Sequence, residues 1–208
     1  MSVLSQLLQH KIIAILRGVH PDRVVPIIEA LFEGGIRAVE ITLNSVDAYK
    51  VIKQVSNKMQ EKMLVGAGTV LDASSALKVI DVGAQFIISP SLDLETIRVT
   101  KGKGIISIPG AFTPTEIVTA HKAGADIVKV FPASDPKYIK DLRGPLSHIP
   151  LMPTGGVSLE NIKAFHKAGA VAFGIGTALV DSSQVVTDTY LTHLTGKAKL
   201  FQNAILND

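Results

Sequence analysis

Residues 124–133, GADIVKVFPA, place one lysine in a short apolar run that follows a glycine, and this pattern predicts the fold of the chain. A strand alternates its faces residue by residue, so Ile127 and Lys129 share one face while Val128 and Val130 share the other. Both faces are largely apolar, as in parallel strands that are covered on both sides. Glycine directly before such a run suits the left-handed cap of a preceding helix. The stretch therefore indicates a helix end followed by a buried parallel strand.

This unit of helix end and strand recurs along the chain. Short apolar runs alternate with longer segments of helical period, which is typical of βα units. Eight runs follow the pattern, namely residues 12–16, 38–43, 63–68, 86–89, 105–109, 126–131, 149–153 and 171–175. The amphipathic segments between them include residues 22–33, 46–58 and 159–167. Several segments end in glycine just before the next run, at Gly34-Gly35, Gly83-Ala84, Gly124-Ala125 and Gly169-Ala170.

Eight βα units with right-handed crossovers and no spare strand predict an α/β fold, namely a (β/α)₈ TIM barrel. Nothing in the composition marks a domain boundary, so residues 1–208 are expected to form a single domain. Residues 3–9 would form an extra N-terminal helix that covers the bottom of the barrel. A doubly wound open sheet is the alternative, but no G-x-G-x-x-G motif follows the first run.

Composition and charge limit the classes of function. The chain has no cysteine, which excludes disulfides, a thiolate nucleophile and cysteine metal sites, and which is compatible with the cytoplasm. The net charge of +3 comes from scattered lysines and arginines, which suits small anionic substrates better than nucleic acid. The first apolar run is too short for a membrane span, and residues 1–10 do not resemble a signal peptide. We expect a soluble, untargeted cytoplasmic protein without nucleic-acid or membrane partners.

Two inward-facing ionisable residues, Lys129 and Glu40, are the candidate catalytic pair. Burial disfavours the ammonium form of a lysine, and a neutral amine can attack a carbonyl group to form a Schiff base. Glu40 shares a strand face with Ala38 and Thr42, so it is a candidate acid/base partner for the lysine. The alternatives are an edge-strand lysine that reaches solvent, or a structural ion pair between the two residues. Two ionisable groups in an apolar interior favour a catalytic site.

Further candidates lie at the carboxyl ends of the runs, where the active sites of barrels are found. The third run ends in small residues that leave room for a ligand, followed by Thr69, whose hydroxyl can bind an oxyanion. The seventh and eighth runs end in the glycine-rich residues 153–158 and 174–177. Glycine-rich loops at these two places are the usual phosphate cradle of the architecture. Tight turns without a ligand are the alternative explanation.

Five motifs together resemble a known enzyme family. They are EITL at residues 40–43, GAGTVL at 66–71, ISP at 88–90, KVFPA at 129–133 and PTGG at 153–156. In this order and spacing the chain resembles the class I 2-keto-3-deoxy-6-phosphogluconate / 4-hydroxy-2-oxoglutarate (KDPG/KHG) aldolase family over nearly its whole length. Any one of the motifs alone would be a weak signal, whereas the ordered set is specific.

The resemblance implies a homotrimeric lyase of carbohydrate metabolism that needs no metal or other cofactor. It implies cleavage of 2-keto-3-deoxy-6-phosphogluconate to pyruvate and glyceraldehyde 3-phosphate, as in the Entner–Doudoroff pathway, or of 4-hydroxy-2-oxoglutarate to pyruvate and glyoxylate. By the same resemblance Lys129 matches the Schiff-base lysine and Glu40 the proton-shuttling glutamate. The implied substrate contacts are Thr69 for the pyruvate carboxylate, Pro90, Phe131 and Thr154 for the pocket walls, and Gly155, Gly156, Gly176 and Thr177 for the phosphate end.

One position departs from the family pattern. Phosphogluconate-type members carry an arginine two residues after Thr42 that holds the substrate carboxylate, whereas this chain has Asn44 followed by Ser45. An amide can hydrogen-bond a carboxylate but lacks the charge and the bidentate fork. Arg17 closes the neighbouring first strand, so we expect its guanidinium to replace the missing one, with Asn44 as a further contact. The Asn44 pattern resembles the branch acting on 2-keto-3-deoxy-6-phosphogalactonate, while Thr154 resembles the phosphogluconate branch.

Other functions of the same barrel remain as alternatives. A metal-dependent aldolase or hydrolase would need clustered ligands, but only His20 of the six histidines lies near a strand end. A non-catalytic barrel that binds phosphosugars would keep the glycine-rich loops without using the lysine. A phosphosugar isomerase or synthase would use carboxylates and no lysine nucleophile. Covalent trapping at Lys129 separates all three from the aldolase.

Overall fold

The computed structural model describes residues 1–133 and 135–206, in which helices alternate with short strands. The strands are β1 (Ile12–Leu16), β2 (Ala38–Thr42), β3 (Leu64–Gly68), β4 (Phe86–Ile88), β5 (Ile106–Ile108), β6 (Gly110–Ala111), β7 (Val128–Val130), β8 (Leu151–Pro153) and β9 (Phe173–Ile175). The helices are α1 (Val3–His10), α2 (Pro21–Glu33), α3 (Ala48–Lys58), α4 (Ala73–Asp81), α5 (Leu94–Gly102), α6 (Pro114–Lys122), α7 (Pro136–Arg143), α8 (Ile162–Lys167) and α9 (Asp188–Leu206). Each of the eight apolar runs contains a strand, so the predicted α/β organisation is confirmed.

The strands pair only in parallel, within the described ranges, and form a curled sheet in two parts. One part has the strand order β5-β4-β3-β2-β1-β9 and the other the order β6-β7-β8. The two parts meet at Pro109, between β5 and β6, and at an isolated parallel bridge between Thr154 and Gly174. Because all strands run the same way, their carboxyl ends lie at one edge of the sheet.

The structure corrects the predicted bounds of two strands. Residues 105–109 do not form one continuous strand, because Pro109 has no N–H to donate to a neighbouring strand and separates β5 from β6. The strand predicted over residues 126–131 is shorter, since only Val128–Val130 pairs as β7. Asp126 instead binds Nζ of Lys101 through both carboxylate oxygens, each at 2.7 Å, and accepts a hydrogen bond from the N–H of Ser107.

Two predicted helices begin later than expected. Helix α3 starts at Ala48 rather than at residue 46, because Asp47 has a left-handed backbone with φ of 52°. Helix α8 starts at Ile162 rather than at residue 159, because Asn161 caps a turn by accepting the N–H of Ser158 at 2.8 Å. The predicted helix ends are confirmed, since φ is positive at Gly35, Gly83, Gly124 and Gly169.

The buried side chains form two separate apolar layers. The larger layer lies between strands and helices and includes Val128 and Val130 of β7. The smaller layer lies on the other face of the strands. Its members are Leu7, Ile13, Ala38, Leu64, Phe86, Ile88, Ile108, Ile127, Met152 and Ala172. None of the helices in residues 1–133 and 135–206 combines the length and the apolar character that crossing a membrane requires.

Candidate active site

Lys129 lies in the middle of β7, on the face opposite to Val128 and Val130. In the parallel register it is paired with Gly110 on one side and with Met152 on the other. Met152 belongs to the smaller apolar layer, so the lysine side chain shares that interior face. Only 3% of Lys129 is exposed, and Nζ lies 5.0 Å from the centre of the Phe131 ring. The lysine is therefore enclosed, and the alternative of an edge-strand lysine that reaches solvent is wrong.

Glu40 lies in the middle of β2 and is 1% exposed. Its register partners are Ile15 and Gly66, and its Oε2 atom has no hydrogen-bond partner among the described residues. Gly68 leaves the room that the carboxyl group occupies, because a Cβ atom at Gly68 would lie 2.5 Å from Oε1 of Glu40. Buried carboxyl oxygens are nearly always hydrogen-bonded, so an unpartnered one indicates a group that awaits a ligand or a proton transfer.

Lys129 and Glu40, both well within the described residues, do not form a salt bridge. Their amine nitrogen and carboxylate oxygens lie more than 4.0 Å apart. The two groups nevertheless influence each other, since the charge of each opposes the effect of burial on the other. The structural ion pair considered as an alternative is absent, and two buried ionisable groups face the same interior without a direct contact.

Burial sets the protonation of both groups. It raises the pKa of Glu40 above its usual value, with smaller opposing effects from the positive charges of Lys129 and Arg17. It lowers the pKa of Lys129, against the negative charge of Glu40 and together with the positive charge of Arg17. Both shifts favour the neutral form of the group, a free amine at Lys129 and a protonated carboxyl group at Glu40.

A cleft of about 460 Å³ opens at the carboxyl ends of β1, β8 and β9, and its lining includes neither Lys129 nor Glu40. Phe131 connects the lysine to the cleft, because its ring contacts the lysine and also forms part of the cleft wall. The predicted residues that line the cleft are Arg17, Phe131, Thr154, Gly155, Gly156, Gly176 and Thr177. The structure thus brings together seven of the ten residues that were predicted to bind substrate.

The floor of the cleft offers hydrogen-bond donors for an anion. Within the described residues, the backbone N–H groups of Gly156, Val157, Thr177 and Ala178 donate no hydrogen bond. All four belong to residues that line the cleft. Backbone N–H groups that have no acceptor within the protein can form an anion-binding nest on a concave surface. This arrangement suits a phosphate group.

Arg17 supplies positive charge to the same cleft. It is the only charged residue among the described residues of the lining, and its side chain forms no ion pair there. Its positive charge contributes to the pKa shifts of both Glu40 and Lys129. A guanidinium without an ion pair in the lining of a cleft is suited to a carboxylate.

Thr154 is the wall residue with an unusual oxygen atom. It is 3% exposed, and its Oγ1 has no hydrogen-bond partner among the described residues. Gly174 faces it closely, since a Cβ at Gly174 would lie 2.4 Å from that oxygen. A polar atom held against the cleft without a partner is available to a substrate hydroxyl.

The remaining predicted residues lie at neighbouring strand ends and do not line the cleft. Asn44 is exposed in the turn after β2. Thr69 follows β3 with a φ of 57°, which is rare for a β-branched residue and is often found at functional sites. Pro90 follows β4, and its carbonyl group packs against Gly110, where a Cβ atom would lie 2.3 Å from the carbonyl carbon.

Several cleft residues were not among the ten predicted substrate contacts. Gly18, Ser158, Ala178 and Ser182 line the cleft with the predicted residues. Ser182 lies in an irregular segment after β9, and no motif points to it. For Gly18 a signal existed, since it follows Arg17 at the end of the first apolar run. Histidine, aspartate and glutamate side chains of the described residues nowhere gather in groups of three that could hold a metal ion.

Comparison with known proteins agrees with this geometry. A model of the KDPG and KHG aldolase family matches residues 3–193. The chain is 39% identical over 181 residues to the 2-dehydro-3-deoxy-6-phosphogalactonate aldolase of Escherichia coli strain K12, which covers 86% of this chain and 88% of that protein. A solved structure of native KDPGal is 36% identical, with a TM-score of 0.87 over 93% of each chain. A cube-shaped protein cage designed by fusing symmetric oligomeric domains contains a chain that is 36% identical, with a TM-score of 0.88 over 93% of this chain and 71% of that one.

Proposed function

The chain belongs to the KDPG and KHG aldolase family, a family of class I aldolases and therefore carbon–carbon lyases, and on that premise we propose that Lys129 is its Schiff-base nucleophile. The observation that carries the proposal is the enclosure of one lysine, 3% exposed, beside a buried glutamate with which it forms no ion pair. Burial lowers the pKa of Lys129, which favours the neutral amine that attacks the C2 ketone of a 2-keto-3-deoxy acid.

Glu40 is proposed to move the protons of the reaction. In its protonated form it donates a proton to the hydroxyl group of the carbinolamine on C2, which leaves as water and gives an iminium ion. The carboxylate that results lies beside two positive charges, the iminium and Arg17, which favour it. It then accepts the proton of the C4 hydroxyl while the C3–C4 bond breaks and the aldehyde leaves. Return of that proton to C3 of the enamine, followed by hydrolysis, releases pyruvate and restores both residues.

The two ends of the substrate are proposed to bind at different parts of the cleft. The nest of Gly156, Val157, Thr177 and Ala178 holds the phosphate group through backbone N–H groups. The guanidinium of Arg17 holds the C1 carboxylate, and Thr69, Pro90 and Asn44 at the neighbouring strand ends are the further proposed contacts. In this arrangement the phosphate group meets backbone N–H donors, the carboxylate meets a guanidinium, and C2 is within reach of the lysine.

The preferred substrate is proposed to be 2-keto-3-deoxy-6-phosphogalactonate. The relative from Escherichia coli carries the name of the corresponding aldolase. The sequence of this chain also resembles that branch, because it has Asn44 in place of the expected arginine and has Arg17 at the end of β1. 2-Keto-3-deoxy-6-phosphogluconate is the second candidate, because Thr154 and its unpartnered Oγ1 match the branch that acts on it. 4-Hydroxy-2-oxoglutarate has no phosphate for the nest, so it ranks third.

We also infer that the two parts of the sheet form one (β/α)₈ barrel over a single domain, residues 1–208. The chain continuity at Pro109 and the Thr154–Gly174 bridge support this inference. The smaller apolar layer supports it too, since it draws side chains from residues in or beside each of the eight strand positions, with Leu7 of α1 at one end. A cytoplasmic homotrimer is proposed as the assembly, in line with the family and with the use of a similar chain as a symmetric oligomeric domain in the designed cage.

Borohydride reduction in the presence of pyruvate tests the proposal. We expect a pyruvate adduct on intact protein that peptide mapping assigns to Lys129 and that Lys129→Ala lacks. Lys101→Ala is the matched control, because Lys101 pairs with Asp126 and should not affect the adduct. The absence of an adduct on folded protein would contradict the aldolase and favour the isomerase or the phosphosugar-binding barrel.

A further inference from the structure

The turn between β2 and α3 is hydrogen-bonded to the end of β1 on both sides of Arg17. The N–H of Gly18, directly after Arg17, donates to Oγ of Ser45 at 2.9 Å. Oγ of Ser45 lies 3.0 Å from Oγ1 of Thr42, and the Thr42 hydroxyl donates to the carbonyl oxygen of Leu16 at 3.4 Å. Leu16 is the residue directly before Arg17. Two hydroxyl groups therefore bridge the peptide groups that flank the arginine.

The direction of these hydrogen bonds follows from the number of protons. Each hydroxyl group has one proton to donate. The proton of Thr42 is engaged with Leu16, so Ser45 donates to Thr42 and accepts from Gly18. The relay runs in one direction, and each of the two hydroxyls both donates and accepts within it. Removing the Ser45 hydroxyl takes away the acceptor of the Gly18 N–H, and removing the Thr42 hydroxyl breaks the link to Leu16.

The turn is itself held firmly. The N–H of Ser45 donates to the carbonyl oxygen of Thr42 at 3.0 Å, and the N–H of Leu43 donates to Gly68 of β3 at 2.8 Å. Thr42 is fully buried, two residues after Glu40 on the same strand. The anchor of the relay is therefore part of the strand that carries the buried glutamate. Gly18, by contrast, has a left-handed backbone with φ of 67°, and its N–H is bound by the Ser45 hydroxyl.

We propose that Ser45, acting with Thr42, is the positioning residue that directs the guanidinium of Arg17 into the cleft. The inference rests on the proposed role of Arg17 as the carboxylate-binding residue. The turn after β2 has Asn44 where the family pattern has an arginine. Ser45, the next residue of this turn, holds the backbone beside Arg17. Substrate affinity then depends on a serine that itself does not line the cleft.

A double-mutant cycle tests the proposal, with the half-saturation concentration of pyruvate in borohydride trapping as the readout. Ser45→Ala in the wild-type background is expected to raise this concentration about 3- to 10-fold, the effect of one lost neutral hydrogen bond. In the Arg17→Ala background it should change the value less than about twofold, because no guanidinium is left to be positioned. Ser45→Thr keeps the hydroxyl and is expected to restore the wild-type value.

Two further variants complete the test. Ser56→Ala removes a serine hydroxyl that donates to the carbonyl of Gly83 away from the cleft, and it should leave the half-saturation concentration unchanged. Thr42→Val removes the other hydroxyl of the relay with little change of shape. It is expected to raise the half-saturation concentration in the same way, and it replaces Ser45→Ala in the test if that variant folds poorly. Thermal unfolding of each variant confirms that it is folded.

The outcomes separate this proposal from the proposed function. An equal rise in both backgrounds, or no rise with Ser45→Ala, overturns the positioning role of Ser45 and leaves Arg17 and Lys129 as assigned. If Arg17→Ala itself leaves the half-saturation concentration unchanged, the carboxylate role of Arg17 and the role of Ser45 both fall. The pyruvate adduct at Lys129 would still establish the aldolase in either case.

Discussion

Gly68 lies against the carboxyl group of Glu40: a Cβ atom at Gly68 would be 2.5 Å from Oε1 and 2.7 Å from Cδ of the glutamate. Such distances are too short for any real contact. The carboxyl group of Glu40 on β2 can therefore take its position only because residue 68 on β3 has no side chain. The motif GAGT is therefore needed for the position of the acid/base group as well as for room near Thr69.

Gly68→Ala should displace the Glu40 carboxyl group and lower kcat about 10²-fold, the effect of a misplaced proton-transfer group. Pyruvate trapping at Lys129 should be affected less, because the amine stays in place. Gly196→Ala in α9 is the control, since a Cβ there meets nothing within 4 Å. It should keep wild-type kcat and gain about 0.5–1 kcal/mol of stability. Steady-state kinetics and thermal unfolding measure both effects, and a normal kcat for Gly68→Ala would refute the steric argument.

Lys129→Met should remove all activity and yet stabilise the protein. Burial lowers the pKa of Lys129 in the folded state below the ordinary lysine value of 10.5, so a lysine that is charged when unfolded destabilises the fold. This cost is largest at low pH and disappears as the pH rises towards 10.5. The stability advantage of Lys129→Met should therefore shrink with rising pH in urea unfolding series. A variant less stable than wild type at neutral pH would show that the lysine makes net favourable contacts.

Glu40→Gln should lower kcat about 10²–10⁴-fold and slow the formation of the pyruvate adduct at Lys129, because an amide cannot transfer the protons that both steps need. Burial raises the pKa of Glu40, so the carboxyl group disfavours the folded state increasingly as the pH rises above the ordinary value of 4.5. The variant should accordingly gain stability relative to wild type over the same rise in pH. Wild-type kcat in Glu40→Gln would assign the proton transfers to another group.

Arg17→Ala should raise the half-saturation concentration of pyruvate about 10- to 100-fold, the effect of losing a charged hydrogen bond. It should also move the acidic limb of the pH profile of kcat/KM to higher pH, because the positive charge of Arg17 helps to lower the pKa of Lys129. Arg17→Lys keeps the charge and should keep the pH profile, but it lacks the fork and should bind pyruvate weakly. An unchanged half-saturation concentration in Arg17→Ala would exclude the carboxylate role.

Thr154→Val should change the preference between the two C4 epimers. The unpartnered Oγ1 of Thr154 is available to a substrate hydroxyl, and valine has the same shape without it. Loss of one such hydrogen bond changes the ratio of kcat/KM values about 3- to 10-fold. We expect the loss to fall on 2-keto-3-deoxy-6-phosphogluconate, measured against 2-keto-3-deoxy-6-phosphogalactonate with the purified epimers. Equal losses on both epimers would limit Thr154 to a wall of the cleft.

The elements of the fold were predictable because their signals are local. The apolar run of β7 and the glycine before it carry the strand and the helix cap, and the predicted cap is confirmed by the positive φ of Gly124. The errors also have local causes that the hydrophobic pattern does not show. Pro109 interrupts an apolar run that otherwise continues, and Asp47 adopts a left-handed backbone that delays α3.

The sequence by itself determined which residues are ionisable and inward-facing, because strand alternation assigns Lys129 and Glu40 to the interior face from their position alone. Only the tertiary structure decided that they are not an ion pair, since the separation of two side chains on β2 and β7 depends on strands distant in the chain. It also decided that Arg17 shares a cleft with the loops after β8 and β9, and that Ser45 holds the backbone beside it. The physical reason is that burial and electrostatic effects depend on distances between residues that are far apart in the sequence, whereas hydrophobic periodicity depends only on neighbouring residues.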